Sequence, residues 1–281
     1  MLHCNNLLLL IIVLFSFTAQ GMISLDATQE INSAARDGDI ATLTKLIEKH
    51  SKQIDQKTLT LALWHALDAD QFESAEFLLT KGAQVNSFPN ERQKTLYEYF
   101  STNKFQLKQA IWLLQHGADP DLCSYNCATP LASLCLDHEL KYFHKMAFKE
   151  MQLLCSHGAN PNAPITLSTC LEKLIRQSKK VKNKITMIVL LVKAGADINA
   201  KNIRGETSLH WAVLKMPVIV PYLLNRRARK DITDHHGRKA IDFAEGQPEL
   251  YVMLASDKMP PIPQEALEAE RELNKLKVKL A

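Results

Sequence analysis

Leu78-Leu79-Thr80-Lys81-Gly82-Ala83-Gln84-Val85-Asn86 is a phrase that this chain repeats. It returns as Leu113-Leu114-Gln115-His116-Gly117-Ala118-Asp119-Pro120-Asp121, and again as Leu153-Leu154-Cys155-Ser156-His157-Gly158-Ala159-Asn160-Pro161-Asn162. A fourth copy runs from Leu190 to Asn199, and a worn fifth reads Leu223-Leu224-Asn225-Arg226-Arg227-Ala228. Successive glycines at 82, 117, 158 and 195 are 35, 41 and 37 residues apart, and Arg227 follows Gly195 by 32. A period of this size is the mark of stacked supersecondary units.

Each part of the phrase has a physical duty. Paired leucines close an amphipathic helix, and a basic residue or histidine sits in the last turn, where the helix dipole favours cations. Glycine takes the left-handed position that a Cβ makes costly, and the Asp/Asn stretch after it is turn chemistry. Matching start signals lie upstream. Gly205-Glu206-Thr207-Ser208-Leu209-His210-Trp211-Ala212 and Ala128-Thr129-Pro130-Leu131-Ala132 put Thr at a helix N-cap, with Pro130 at the first helical place.

These motifs resemble the ankyrin family, whose signature is Gly-x-Thr-Pro-Leu-His-x-Ala followed by Leu-Leu-x-x-Gly-Ala-Asp-x-Asn. Gly205 to Ala212 departs from it by Ser208 in place of Pro. The resemblance covers about residues 28–256. It implies an all-α ankyrin-repeat solenoid of about seven helix–turn–helix units joined by short β-hairpin turns. Asn32 to Asp39 with Leu43 to Ile47 resembles an N-terminal capping pair, and Gly237 to Ala244 the start of the last unit. Arg227 stands where glycine is expected, and Cys127 replaces a hairpin glycine. The units 122–162 and 163–199 are long, so insertions are expected near Asp137 to Lys145 and Gln177 to Lys184.

Residues 1–21 form a separate segment. Leu7 to Ala19 holds only Ser16 and Thr18 as polar members, shorter than the roughly 20 residues of a membrane span, and Ala19-Gln20-Gly21 offers small residues for cleavage. No Lys or Arg precedes the run. A cleaved export signal is the expectation, and a membrane anchor over residues 7–19 is the alternative. Residues 257–281 form the third segment: Pro260-Pro261-x-Pro263 breaks the array, and Gln264 to Ala281 is helix-prone with a stripe of Leu267, Leu273, Leu276 and Leu280. Two readings stand, a helix that caps the open end of the array or a free tail for a partner. Its Glu-rich composition resembles secretion signals of bacterial type IV effectors. Export combined with ankyrin repeats resembles bacterial periplasmic helpers or host-delivered effectors.

Composition is that of a folded protein, 46% hydrophobic and 23% charged. A net charge of +4 is too small to argue for nucleic acid. Cys123, Cys127, Cys135, Cys155 and Cys170 have irregular spacing without a second Cys/His pair at zinc distance, and read as buried small hydrophobes. Whether Cys123 and Cys127 form a bridge is open. No Walker loop, Gly-x-Ser-x-Gly elbow or His-Glu-x-x-His is present, so no catalytic, cofactor or metal residue is assigned.

The resemblance implies a protein partner held on a concave face of hairpin tips and first helices. In the family register, Tyr125 and Asn126 fall at one tip, Ile203, Arg204 and Glu206 at a second, and His235, His236 and Arg238 at the last. Leu214 and Lys215 end a first helix lining the same concavity. His210 is the family's tie between a unit and its neighbour. The alternative is a membrane-anchored scaffold docking through the basic 176–184 loop (Arg176, Lys179, Lys180, Lys182, Lys184). An enzyme or metal role for the Cys and His residues is the remaining reading.

Overall fold

The computed structural model describes residues 23–87, 107–122, 129–136, 147–163, 169–176 and 184–280. They group into two compact units, Met1–Lys94 with Gln115–Ala118, and Thr95–Leu114 with Asp119–Ala281. The two long insertions, Tyr125, Asn126, the N-terminal apolar run, Cys123 and Cys127 lie outside the described residues.

In the first unit, α1 (Leu25–Asp37) starts behind Ser24, whose Oγ accepts the Ala27 N–H at 3.2 Å. Asp39 and Asp55 cap α2 (Ile40–Lys49) and α3 (Gln56–Asp68) in the same way, accepting from Thr42 at 2.9 Å and Thr58 at 2.8 Å. α4 (Phe72–Thr80) completes a second pair. α1 packs on α2 and α3, and α3 on α4, burying Ile31, Leu43, Leu63, Leu67 and Leu78.

After α5 (Leu107–Gln115), the second unit pairs α6 (Pro130–Leu136) with α7 (Ala147–Ser156), α8 (Cys170–Arg176) with α9 (Lys184–Lys193), and α10 (Ser208–Lys215) with α11 (Val220–Asn225). A 3-10 turn (Ala240–Phe243) and α12 (Pro248–Ala255) follow. First helices stack as a row, α6 on α8 on α10 on the 3-10 turn, while α7 and α9 stack as second helices. The chain therefore buries each pair against its sequence neighbours. Among the described residues the hairpins are turns, with one β-bridge between Thr233 and Lys239.

The repeated phrase closes its helices as its chemistry requires. Ala83, Ala159, Ala196 and Ala228 each send their N–H back five residues, to Leu78, Leu154, Leu191 and Leu223, at 2.9–3.0 Å. Such a closure needs a left-handed residue just before the alanine, and Gly195 supplies it at φ 95°. Arg227 supplies it too, at φ 68°, so the worn copy keeps the backbone of the others at a steric cost of about 1 kcal/mol.

The last Asn or Asp of each phrase does more than shape its own turn. Asn162 Nδ2 donates to Gly195 O at 2.9 Å while its Oδ1 accepts from Asp197 N at 2.7 Å. Asn199 repeats this on Arg227 O (3.1 Å) and Arg229 N (2.8 Å), and Asp121 accepts from Asn160 N. In the first unit Asn86 Nδ2 donates to Gly117 O at 2.9 Å. The phrase thus recurs because each copy hydrogen-bonds to the next.

α13 (Gln264–Leu280) packs on the repeats themselves, which fits neither an end cap nor a free tail. It packs along α9 and meets α11 through Tyr222, while Tyr251 and Val252 of α12 stay exposed. Ala266, Ala269 and Leu273 bury its inner stripe. Glu270 accepts from Tyr222 Oη at 3.2 Å and from the Arg226 guanidinium, and Asn274 accepts from Lys193 Nζ.

Candidate protein-binding face

Two hairpins carry most of the expected contact residues, and both are built on a side-chain oxygen. Asn202 Oδ1 accepts from Arg204 N (2.8 Å) and Glu206 N (3.0 Å), and its backbone N–H donates to Glu206 O at 2.9 Å. Asp234 Oδ1 accepts likewise from His236 N (2.8 Å) and Arg238 N (2.9 Å), and its N–H donates to Arg238 O. Asp234 also takes the Arg238 guanidinium. Burial opposes the Asp234 charge, but these donors prevail and hold its carboxyl down to about 2. The shared spacing Asn202-x-x-Gly205 and Asp234-x-x-Gly237 is the local sequence that carries this design.

The hairpins are fastened to each other. His235 N–H donates to Arg204 O at 2.9 Å. A Cβ on Gly205 would lie 2.8 Å from His235 Cδ2 and 3.0 Å from its backbone nitrogen, so this approach requires glycine. One level in, His210 accepts Thr207 N–H on Nδ1 at 3.1 Å and donates from Nε2 to Arg238 O at 3.2 Å. Burial pushes the His210 pKa below its usual value, which keeps the ring in this neutral form.

Beneath the tips lies a polar network that sequence reasoning missed. Asn202 Nδ2 reaches Glu172 Oε1 (3.1 Å) and Glu206 Oε2 (2.9 Å), and Trp211 Nε1 donates to Glu206 Oε2 at 3.1 Å. The Arg176 guanidinium stacks 4.9 Å from the Trp211 ring and 3.7 Å from Glu172. Glu206 is therefore a correction. It is only 7% exposed, and its carboxylate positions Trp211 and Asn202 instead of facing a partner. Burial raises the Glu172 pKa, partly offset by the Asn202 hydrogen bond.

The remaining expected residues divide by exposure. Ile203 is 59% and Leu214 42% exposed, and Arg204, Lys215, His235 and His236 are exposed as well. Arg238 is exposed but also employed, its guanidinium paired to Asp234 and stacked on Phe243 at 4.6 Å. The described ends of the basic 176–184 cluster are similarly engaged. Arg176 serves the network above, and Lys184 is half-buried with Nζ donating to Ile175 O at 3.2 Å. Cys135 and Cys170 are buried, and Cys155 is held at about 12 by burial. Among the described residues no group of three or more His, Cys, Asp or Glu is placed to hold a metal, and no helix is long and apolar enough to cross a membrane.

No protein-family model matches the chain. A Danio rerio protein bearing the name palmitoyltransferase ZDHHC13 is 25% identical over 223 residues, 77% of this chain, and the chain spans 32% of that protein's length. The crystal structure of the ankyrin repeat domain of Bcl-3, a unique member of the IkappaB protein family, matches with a TM-score of 0.57 and 18% identity. The match covers 81% of this chain and 98% of that one. The chain has the ankyrin-repeat fold. Ankyrin folds are in general scaffolds for protein–protein interaction.

Proposed function

We propose that the protein binds another protein through the hairpin and first-helix face centred on Ile203, Arg204, Leu214, Lys215, His235 and His236. The observation that carries this is the contrast in that face. Asn202 and Asp234 tie both hairpins down through backbone hydrogen bonds, while Ile203 and Leu214 keep large apolar surface exposed beside them. Large exposed side chains on a rigid frame lose little entropy when a partner covers them. Arg204 and Arg238 add a residue type common in binding hot spots, and Tyr125 and Asn126 extend the face in the family register.

The test is a variant carrying Ile203→Ala, Arg204→Ala and Leu214→Ala, compared with Lys180→Ala and Lys182→Ala in the basic loop. Thermal stability should stay within about 0.5 kcal/mol in both. Affinity for a partner identified by pull-down should fall at least tenfold in the first, about 1.4 kcal/mol. Binding retained there and lost in the loop variant would transfer the function to the loop, and with it to an anionic or membrane surface.

We further propose that the protein is exported, as bacterial ankyrin proteins of this kind are, with Leu7 to Ala19 as its signal. Support for this comes from the sequence pattern alone. Intact-mass measurement should find the chain beginning near Met22 in an exported fraction; a chain retaining Met1 in the cytosol would refute it.

A further inference from the structure

Charge is distributed unevenly over this face. From Ile198 to Lys230 the sequence holds one carboxylate, Glu206, and that one is buried under Trp211 and Asn202. Over the same span Lys201, Arg204 and Lys215 are exposed, and among the described residues none of them has a carboxylate within ion-pairing distance, although Lys201 Nζ also donates to Thr233 O at 3.3 Å. Of the other cations nearby, Arg226 pairs with Glu270, Arg229 with Asp231, Lys230 with Asp257 and Arg238 with Asp234, while Arg227 closes the worn repeat and adds a further exposed positive charge. At the second tip the Asp234 charge is enclosed by Arg238 and two backbone N–H groups, which leaves His235, His236 and Lys239 outward. The global charge of +4 conceals this local excess.

Apolar surface is exposed on the same hairpin and helix. Ile203 in the hairpin, Leu214 at the end of α10 and Val218 just after it are all exposed aliphatic side chains. Val218 also lines a groove of about 630 Å³ with Pro221, Leu250, Met253 and Ile262. Cations flanking aliphatic side chains on a fixed frame suit a ligand of opposite charge with apolar anchors.

We propose, resting on the binding face assigned above, that its partner is an acidic protein segment. Its carboxylates meet Lys201, Arg204 and Lys215, and its aliphatic side chains cover Ile203, Leu214 and Val218. Charge complementarity sets the encounter rate and the choice of partner, and the aliphatic contacts hold the complex.

The full chain, immobilised, is offered a display library of random linear peptides. Enriched peptides should carry Asp or Glu beside Leu, Ile or Phe. They should lose at least tenfold in affinity to a Lys201→Glu, Arg204→Glu, Lys215→Glu variant, and weaken as salt rises. Peptides that are neutral or basic, yet lost with Ile203→Ala and Leu214→Ala, would keep the face and overturn the acidic partner. Peptides indifferent to both sets of changes, or no enrichment at all, would overturn both. Binding instead to phosphatidylcholine–phosphatidylserine vesicles, abolished by charge reversal and unaffected by Ile203→Ala, would replace the protein segment with a membrane.

Discussion

His210 Nε2 lies 3.2 Å from the carbonyl oxygen of Arg238, and this bond joins the first helix of one repeat to the hairpin of the next. Because Nδ1 accepts from Thr207, only the neutral ring with its proton on Nε2 can make both contacts. Burial lowers the folded pKa from 6.5, so the unfolded chain binds a proton that the folded chain refuses. This contribution is complete above about pH 6.5 and is lost as pH falls toward the folded pKa. His210→Gln should cost about 1–3 kcal/mol at pH 7.5 in denaturant melts. The gap between variant and parent should narrow as the pH drops below 6.5; a gap constant with pH would contradict the neutral, buried assignment.

Glu150 has the opposite sign. Burial raises its pKa to about 7 from 4.5, and its Oε2 has no hydrogen-bond partner among the described residues. Ionisation in the folded state is penalised above pH 7, and the penalty disappears as pH falls to the unfolded value. Glu150→Gln should therefore stabilise the protein at pH 8 by an amount on the order of 2–3 kcal/mol, with the gain gone by about pH 4.5. Equal stability of the two proteins at pH 8 would show that the carboxylate is solvated.

Arg227→Gly tests the worn repeat. The backbone at φ 68° is one glycine adopts without a Cβ clash, so the change should add about 1 kcal/mol. A Tm unchanged or lowered would mean that the arginine side chain contributes more than its backbone strain costs.

Asn162→Ala removes two bonds to the following repeat, to Gly195 O and Asp197 N. A loss of about 1–3 kcal/mol is expected. Hydrogen exchange should rise first in the repeats on either side of the break, since contacts reach only to neighbours. Leu191→Ala, emptying a fully buried site in α9, should cost about 2–5 kcal/mol with the same local pattern. Exchange accelerated evenly over residues 25–256 would contradict the stacked architecture.

Much of the fold was legible because each repeat carries its own punctuation. Paired leucines, a left-handed residue and a Thr cap are local signals, and even Arg227 kept its place in the pattern. The Asn162 and Asn199 ladder was half visible: turn chemistry explains those residues, but their bonds to the next repeat need the stacking distance. Glu206 was misassigned because the register puts it beside a tip, whereas its exposure depends on Trp211 and Asn202 closing over it. The course of α13 was not readable. Its stripe fits any apolar surface, and only the positions of Tyr222, Arg226 and Lys193 decide that it lies along the second helices.

Binding of a partner on the outward hairpin and first-helix face should leave a footprint in the backbone. Hydrogen exchange of the full chain with and without the partner found by pull-down tests it most directly. Exchange should slow at residues 200–216 and 233–239, with α13 and α9 unchanged. Protection confined to α13, α9 or residues 176–184, with the hairpins exchanging as in the free protein, would contradict it.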